Sequence, residues 1–364
     1  MKAYIPNKLP LKTLNWERFV HLIGKANYEL ARFEGILQAI VNPLVLLSPL
    51  TTQEAVLSSK IEGTIATIEE VYKYEAKVLK DISDKKQGDI QEIINYRKAL
   101  NFAVENLNTL PISFNLILDV HSILLNSVRG TNMARGEFRK DQVWIGRPGT
   151  PIENATFIPP TSERLMESFT NLENYIHSEE KDILVQLAVI HAQFELIHPF
   201  SDGNGRVGRI LIPLFLYEKK LLKSPVFYIS EYLEANREIY YDRLNQISQA
   251  DNWDDWIIFF LTAIIEQSKS NTLKAKAILD LYERMKTEVS TIVRSQFSIV
   301  ALDTLFKQPY FTTSEFITHT KMPKRTAARI VKEFKDKKII DILIEGSGRR
   351  SEIMYFTELY NIIE

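Results

Sequence analysis

Apolar positions along most of the chain recur three and four residues apart, the spacing of an amphipathic helix, and strand-like alternation is confined to two stretches. The pattern predicts a mostly α fold. The run from Ile183 to Ile197 is apolar almost all round, as a helix buried on every side must be. Pro199 disfavours helical geometry at the residue before it, so this helix should stop at His198. Helical spacing resumes with Val207, Ile210, Leu211, Leu214 and Phe215, and Pro213 within that run predicts a kink. Upstream, a helical segment over 16–40 is interrupted by Pro43 and Pro49. A second helix opens at Thr51 or Thr52 and closes before Gly63, which suits the left-handed position beyond a helix end. Residues 67–80 are amphipathic and 81–89 read as an exposed connection; a helix opening near Ile90 then carries Glu92, Asn95 and Tyr96. Helices follow over 114–128 and 165–177. Between them, 136–146 and 155–160 predict a β-hairpin around Gly146-Arg147-Pro148-Gly149. The apolar run 257–265 predicts a closing core helix, and the more polar 267–292 a connecting helix.

The turn between the two apolar helices holds the densest chemistry. Residues 198–209 read His-Pro-Phe-Ser-Asp-Gly-Asn-Gly-Arg-Val-Gly-Arg. His198 projects from a fixed helix end. Gly203 and Gly205, around Asn204, permit backbone conformations that point several N–H groups into one concavity, an anion site. The loop leads into a helix N-terminus, where free N–H groups and the dipole favour negative charge. Arg206 and Arg209 fall on one face of the first turn, cations set against the dipole, and an anion in front of them would explain the placement. Asp202, beside a polyphosphate, would serve through Mg²⁺, which binds a carboxylate together with phosphate oxygens. Singly, each of these features has a commonplace explanation. Their coincidence within twelve residues does not.

The string resembles the signature of Fic-domain proteins, His-x-Phe-x-Asp/Glu-Gly-Asn-Gly-Arg-x-x-Arg, at every fixed position. The resemblance implies a Fic-type helical bundle that moves AMP from ATP to a protein hydroxyl. By the same resemblance His198 is the general base, Asp202 holds Mg²⁺, and Gly203, Asn204 and Gly205 line the anion hole. Arg206 and Arg209 bind the outer phosphates, and Phe200 is a buried anchor. The hairpin becomes a flap whose edge positions a target backbone near His198 by strand addition. Asn236 and Tyr240 become contacts to the adenine and ribose. His121 and His191, among apolar neighbours, read as structural; Glu195 either orients the loop or lies exposed.

Glu62 falls in the last turn of its helix, where a carboxylate opposes the dipole. One helix thus ends in a misplaced anion and another begins with misplaced cations; pairing Glu62 with Arg209 settles both. Ser58 to Gly63 reads Ser-x-x-x-Glu-Gly, similar to the inhibitory motif of Fic proteins. There the glutamate occupies the arginine that would hold the γ-phosphate. The resemblance implies an enzyme self-inhibited from its N-terminal side.

Composition narrows the remaining choices. A length of 364 residues suits two or three domains. We divide the chain into an N-terminal helical region carrying the inhibitory motif (1–89), a catalytic core (90–266), a connecting helix (267–296) and a C-terminal domain (297–364). A net charge of −1 argues against a surface that coats nucleic acid. The absence of cysteine excludes disulfides, thiolate catalysis and cysteine-bound zinc. No signal-peptide core and no apolar run of membrane-spanning length are found, so a cytoplasmic protein is expected. The C-terminal domain orders three helix candidates before two strands and a basic turn, which resembles a winged helix. Residues 321–338 carry a net +6 although the domain carries only +2. Arg325, Arg329, Arg349 and Arg350 are its candidate contacts to DNA, and DNA and a protein partner are equal readings. Two other functions fit the motifs: removal of AMP from a modified protein, with Glu62 positioning a water, and a DNA-binding regulator with a nucleotide-sensing Fic domain. An intact His198 argues against a pure sensor, since binding alone needs no base. The target protein, self-modification and a homodimer are left open by the sequence.

Overall fold

The computed structural model describes residues 2–75, 79, 82–126, 134–147, 149–346 and 351–363. After a 3-10 turn at Trp16–Arg18 come α1 (Val20–Ala39), the single turn α2 (Pro43–Leu46), α3 (Ser48–Ile61) and α4 (Ile68–Glu75). They are followed by α5 (Asp84–Leu107), α6 (Phe114–Leu124), α7 (Ser162–Ile176), α8 (Ile183–Ile197) and α9 (Asn204–Glu218). Next are α10 (Ser230–Ala235), α11 (Arg237–Ala250) and the 41-residue α12 (Trp253–Val293). The apolar periphery of α8 has its expected consequence: α8 is the central helix, packed against α1, α7, α9, α11 and α12. Its N-terminus is capped by the Asp182 side chain, which accepts from the N–H groups of Leu184 and Val185. α3 lies against α5, α9 and α10, which brings its C-terminal end to the start of α9.

Several boundaries differ from the sequence expectation, each for a local reason. Pro49 does not interrupt a helix but stands in the first turn of α3, where its missing N–H has no helical partner to lose; Thr51 and Thr52 are therefore inside the helix. Pro43 likewise opens α2, capped by Asn42. Residues 84–89 are the first turns of α5, started by the Ser83 cap, and Asp89 is buried with its carboxylate accepting from the Ile65 N–H. The closing core helix and the connecting helix are one, α12. Its middle stays in the body through Gln267, which accepts from the Tyr232 N–H, and Asn271, which donates to the Tyr228 carbonyl. The domain boundaries placed after residues 89 and 266 thus fall inside α5 and α12. The expected hairpin reduces to a single bridge, Ile145 with Phe157, and a 3-10 turn occupies Ile152–Asn154. Pro151, Pro159 and Pro160 have no N–H to extend a ladder. Pro148 of the expected turn and residues 127 and 128 of the expected 114–128 helix lie outside the described residues.

The C-terminal part contains α13 (Ser298–Lys307), β1 (Tyr310–Phe311), α14 (Thr313–Thr320) and α15 (Lys324–Asp336), then β2 (Ile340–Ile344), β3 (Ile353–Phe356) and α16 (Thr357–Ile363). The strands form one antiparallel sheet in the order β1-β3-β2. A capping box between Thr312 and Glu315 starts α14. β1 and α16 had no clear signal in the sequence, and Arg349 and Arg350 lie outside the described residues. This part packs on α12 and on the N-terminal helices. Tyr310 stacks on Tyr72 at 4.6 Å between centroids, Ser48 Oγ donates to the Lys307 carbonyl at 3.2 Å, and Gln53 Nε2 donates to the Ile363 carbonyl at 2.6 Å.

Candidate active site

α8 ends where Pro199 requires it, and His198 takes the left-handed conformation at φ 50°, ψ 61°. The His198 N–H returns to the Phe194 carbonyl at 3.0 Å, and its own carbonyl accepts from Arg139 Nε at 2.8 Å. Its Nδ1 lies 3.3 Å from the Glu195 carbonyl. A carbonyl only accepts, so Nδ1 carries the proton and Nε2 keeps its lone pair. Burial, with the nearby Arg139 charge adding to it, pushes the imidazole down to about 4 and leaves a neutral base at pH 7.

The loop beyond is closed by two side chains. Asn204 Oδ1 accepts from the Phe200 N–H and its Nδ2 donates to the Phe200 carbonyl, both at 2.8 Å. The Asn204 side chain is therefore a clamp, and what it offers a ligand is its backbone. His121 stacks on the buried Phe200 ring at 3.7 Å; its Nδ1 accepts from the Gly136 N–H and its Nε2–H donates to the Asp202 carbonyl, each at 3.0 Å. Gly203 has a φ of 82°, a conformation that disfavours any side chain. The first helical bond of α9 runs from the Val207 N–H to the Gly203 carbonyl, so the N–H groups of Asn204, Gly205 and Arg206 precede it and have no partner within the helix, as a site for an anion requires. Gly205 is ordinary helix. Its missing side chain is needed for space, because a Cβ there would collide with the Glu62 carboxylate and crowd Arg209 Nη1.

Asp202 Oδ1 accepts from the Gly203 N–H at 2.6 Å and from Arg206 Nη2 at 3.1 Å, while 42% of the side chain is exposed. Among the described residues no group of three or more His, Cys, Asp or Glu could hold a metal by itself. A single braced, half-open carboxylate fits Mg²⁺, which takes one or two carboxylates and completes its shell with water and substrate phosphates.

The two arginines of α9 are buried, not solvated. Arg206, 2% exposed, donates Nη1 to Glu92 of α5 at 2.7 Å as well as Nη2 to Asp202, so it braces the turn against α5. Arg209, 1% exposed, lies in the second turn, because α9 begins only at Asn204. Its Nε donates to Ser58 Oγ at 2.8 Å, and its Nη2 donates to the Ser58 carbonyl at 2.9 Å and to Glu62 Oε1 at 2.6 Å. The end of α3 produces this geometry. Gly63, at φ 95°, closes the helix with its N–H on the Lys60 carbonyl, the Thr64 N–H reaches the Ser59 carbonyl, and Glu62 is thrown off the end toward α9. Burial works against the Glu62 charge, but Arg209 outweighs it and holds the carboxyl below its usual range. Arg209 is held above its own range despite burial, chiefly by Glu62.

α3 is anchored further back by Glu54. This buried carboxyl accepts from the Ser230 N–H at 3.0 Å, from Ser230 Oγ at 2.6 Å and from the Tyr96 hydroxyl at 3.3 Å. Burial raises its pKa. Tyr240 is 1% exposed, and its hydroxyl donates to His191 Nε2 at 3.0 Å, because His191 Nδ1 spends its proton on the Gly208 carbonyl. Asn236 is part-buried, with Nδ2 on the Tyr232 carbonyl at 2.9 Å. Trp144 and Ile145 of the 136–160 segment are 43% and 41% exposed.

Sequence reasoning missed two supports of the turn, Arg139 and Glu92, and the anchor of α3, Glu54. Arg139 is 3% exposed and also holds the Pro160 and Asp141 carbonyls, yet Gly-Glu-Phe-Arg carries no signal that its arginine is buried. Glu92 and Glu54 sit at helix positions like many others, and only tertiary packing turns them inward. Glu195 is at the site rather than at the surface.

Known proteins were compared with the chain. The profile of the Fic/DOC family N-terminal region matches residues 20–105, and that of the Fic/DOC family matches residues 111–216. A probable protein adenylyltransferase of Aquifex aeolicus is 32% identical over 196 residues, which cover 53% of this chain and 56% of that protein. The protein adenylyltransferase fic-1 of Caenorhabditis elegans is 29% identical over 141 residues, 37% of this chain and 26% of that protein. The chain thus spans about half of the first relative's length and about a quarter of the second's. Among solved structures, a Fic family protein from Desulfovibrio desulfuricans G20 superposes with a TM-score of 0.60 at 18% identity, covering 97% of this chain and 98% of that one. Fic-1 (residues 134–508) from C. elegans gives 0.54 at 19% identity, covering 72% and 74%. At these identities the likeness is one of fold.

Proposed function

The chain belongs to the Fic/DOC family, and on that premise we propose that it is a protein adenylyltransferase restrained by its own Glu62. The observation that carries this reading is the position of Arg209, a buried cation beside the anion-binding start of α9 that is taken by Ser58 and Glu62. ATP would lay its phosphates across the N–H groups of Asn204, Gly205 and Arg206. A hydroxyl oxygen of the target attacks the α-phosphorus, and the bond from that phosphorus to the oxygen bridging the β-phosphate breaks. His198 Nε2 takes the hydroxyl proton, AMP stays on the target, and pyrophosphate leaves. Mg²⁺, when bound at Asp202, would neutralise phosphate charge. Arg209 completes the phosphate site only after Glu62 has left it.

The mass of the intact chain and of its targets after incubation with ATP and Mg²⁺ tests this. Glu62→Gly should raise AMP incorporation by about 10- to 100-fold, the range of a typical coupling energy. His198→Ala should lower it by at least about 100-fold, the usual worth of a general base. Equal incorporation by wild type and Glu62→Gly would refute the restraint, and incorporation that survives His198→Ala would refute the base.

The reverse reaction, removal of AMP, gains support from one feature. The Glu62 side chain is 31% exposed and lies within electrostatic reach of His198, where a water could be held between them. Release of AMP from a modified target by wild type, lost in Glu62→Gly, would favour it. The order of elements in the C-terminal part supports the reading of a winged helix, whose ligand would meet α15. Arg329 there is tied to Glu333 at 2.7 Å and to the Val293 carbonyl at 3.3 Å, so it braces α15 against α12; Arg325 is exposed. Salt-sensitive binding of duplex DNA, lost in Arg325→Ala, would mark DNA as that ligand over a protein. Among the described residues no helix is long and apolar enough to cross a membrane.

A further inference from the structure

Glu195 occupies the last turn of α8, three residues before His198, and points under the start of α9. Its Oε1 is buried and makes no hydrogen bond among the described residues. A buried polar oxygen without a partner is costly and calls for an explanation. Two glycines frame the reason. A Cβ on Gly205 would collide with the carboxylate of Glu62, and a Cβ on Gly208 would collide with the carboxylate of Glu195. The two glycines are three residues apart in α9, as are Arg206 and Arg209. α9 therefore leaves room for two glutamates, and Arg209 lies within electrostatic reach of both. One is engaged: Glu62 takes Arg209 Nη2, while Ser58 takes Nε and Nη2. These bonds use Nε and Nη2 and leave Nη1 out of the contact with Ser58 and Glu62. An unmet acceptor thus lies within electrostatic reach of an arginine whose other edge is engaged by Ser58 and Glu62.

We propose that Glu195 is a positioning residue for Arg209, the carboxylate that accepts the guanidinium when the Ser58–Glu62 helix end withdraws. Without it, a released Arg209 would be a buried cation with no fixed direction. With it, one edge of the guanidinium is held by α8 and the other is presented to the outermost phosphate. Glu195 is rooted in the same helix turn as His198, so base and phosphate arginine share one support. The charges agree with this. Burial pushes the Glu195 carboxyl up to about 8, with Glu62 adding to the rise and Arg209 opposing it. The groups facing it are Arg209 of α9, Glu62 at the end of α3, and Tyr240 and Tyr241 of α11. Departure of Glu62 removes one raising charge and leaves burial opposed by Arg209, a change in the direction of the ionised carboxylate.

The inference rests on the proposed adenylyltransferase reading for its kinetics but not for its structure, and its test separates the two. In a crystal structure of Glu62→Gly without nucleotide, Arg209 Nη1 should lie within about 3 Å of Glu195 Oε1. In the Glu62→Gly background, Glu195→Ala should raise the KM for ATP about tenfold, the worth of one charge-assisted hydrogen bond, with a smaller effect on kcat. The isosteric Glu195→Gln, which keeps the fold and one acceptor, should restore part of that loss. An Arg209 that stays away from Glu195 in the Glu62→Gly structure overturns the inference, whatever the activity. So does an unchanged KM in Glu195→Ala, even if that variant unfolds at a lower temperature, since a merely structural residue would behave that way. If the ion pair forms but Glu62→Gly transfers no AMP, the proposed function fails and the placement of Arg209 by Glu195 stands.

Discussion

Two segments flank the His198 turn, and they are built in opposite ways. The end of α3 is built like core. Ser58 and Ser59 are buried, Gly63 locks the helix terminus, and Glu54 ties the helix to α5 and α10. The 136–160 segment is built like surface: one β-bridge, a 3-10 turn, and two exposed large apolar side chains at Trp144 and Ile145. The difference teaches what each contact is for. The proposed restraint would have to hold one fixed guanidinium, and the geometry there is over-determined by buried hydrogen bonds. An edge offered to a target backbone, the role that the Fic resemblance implies for this segment, would have to accept varied partners, and a segment held by one β-bridge leaves backbone groups available.

The sharpest challenge to this comparison is Glu54→Ala. It strands the Ser230 N–H, Ser230 Oγ and the Tyr96 hydroxyl in a buried place, so urea unfolding should show a loss of about 3 kcal/mol. AMP transfer should rise at the same time, as the α3 end loosens. A loss below about 0.5 kcal/mol, the range of an ordinary surface change, would show that α3 is not held as core.

Next in size is the pH dependence. Burial pushes His121 and His198 down to about 4 and His191 down to about 3, so the unfolded chain binds more protons than the native one below 6.5. Their contribution is complete above pH 6.5 and is lost as pH falls toward 4, by about 1–2 kcal/mol for each at pH 5. Glu195 has the opposite sign. Its native pKa of about 8 contributes stability below 4.5 that is lost as pH rises through 8, and Glu195→Gln should remove that component. Unfolding free energies at pH 5, 7 and 8.5 measure both. The acid limb of kcat/KM should lie well below 6.5, and a limb at 6.5 would place His198 in solvent.

Ser58→Ala is a smaller step. It removes the Arg209 Nε acceptor and a side-chain contact to Tyr96, leaves the Ser58 carbonyl and Glu62 in place, and should raise AMP transfer by roughly two- to fivefold, as one modest hydrogen bond allows. Its effect should shrink in the Glu62→Gly background, since the two residues share one partner. The least change in stability is expected for Trp144→Ala, within about 0.5 kcal/mol, because the ring is 43% exposed and its Nε1 bonds only the nearby Thr150 carbonyl. Labelling of protein targets should nonetheless fall. Unchanged labelling would take the target edge away from this segment.

What could be read in the sequence divides along the range of the interactions involved. Pro199 ended α8 at the expected residue, Gly63 closed α3, and the twelve-residue string marked the family, because each of these signals lies within a few neighbours. The union of two expected helices into α12 was misread. Its polar middle resembles an exposed connector until Tyr228 and Tyr232 supply partners for Asn271 and Gln267. The hairpin was overestimated for a related reason: β-favouring residues in both arms do not pair where prolines withhold the donors.

By itself the sequence determined where α3 and α8 end, the residues of the candidate phosphate-binding turn, and the presence of a glutamate and arginines that call for partners at their helix ends. Only the tertiary structure decided which carboxylate meets which guanidinium. Glu92 holds Arg206, Glu62 holds Arg209 and Glu195 waits beside it, a choice made by the crossing of α3, α5 and α8 over α9 and by the space that Gly205 and Gly208 leave. The physical reason is that helix propensity and capping are local, whereas a buried charge is stable only where packing from distant parts of the chain brings its partner.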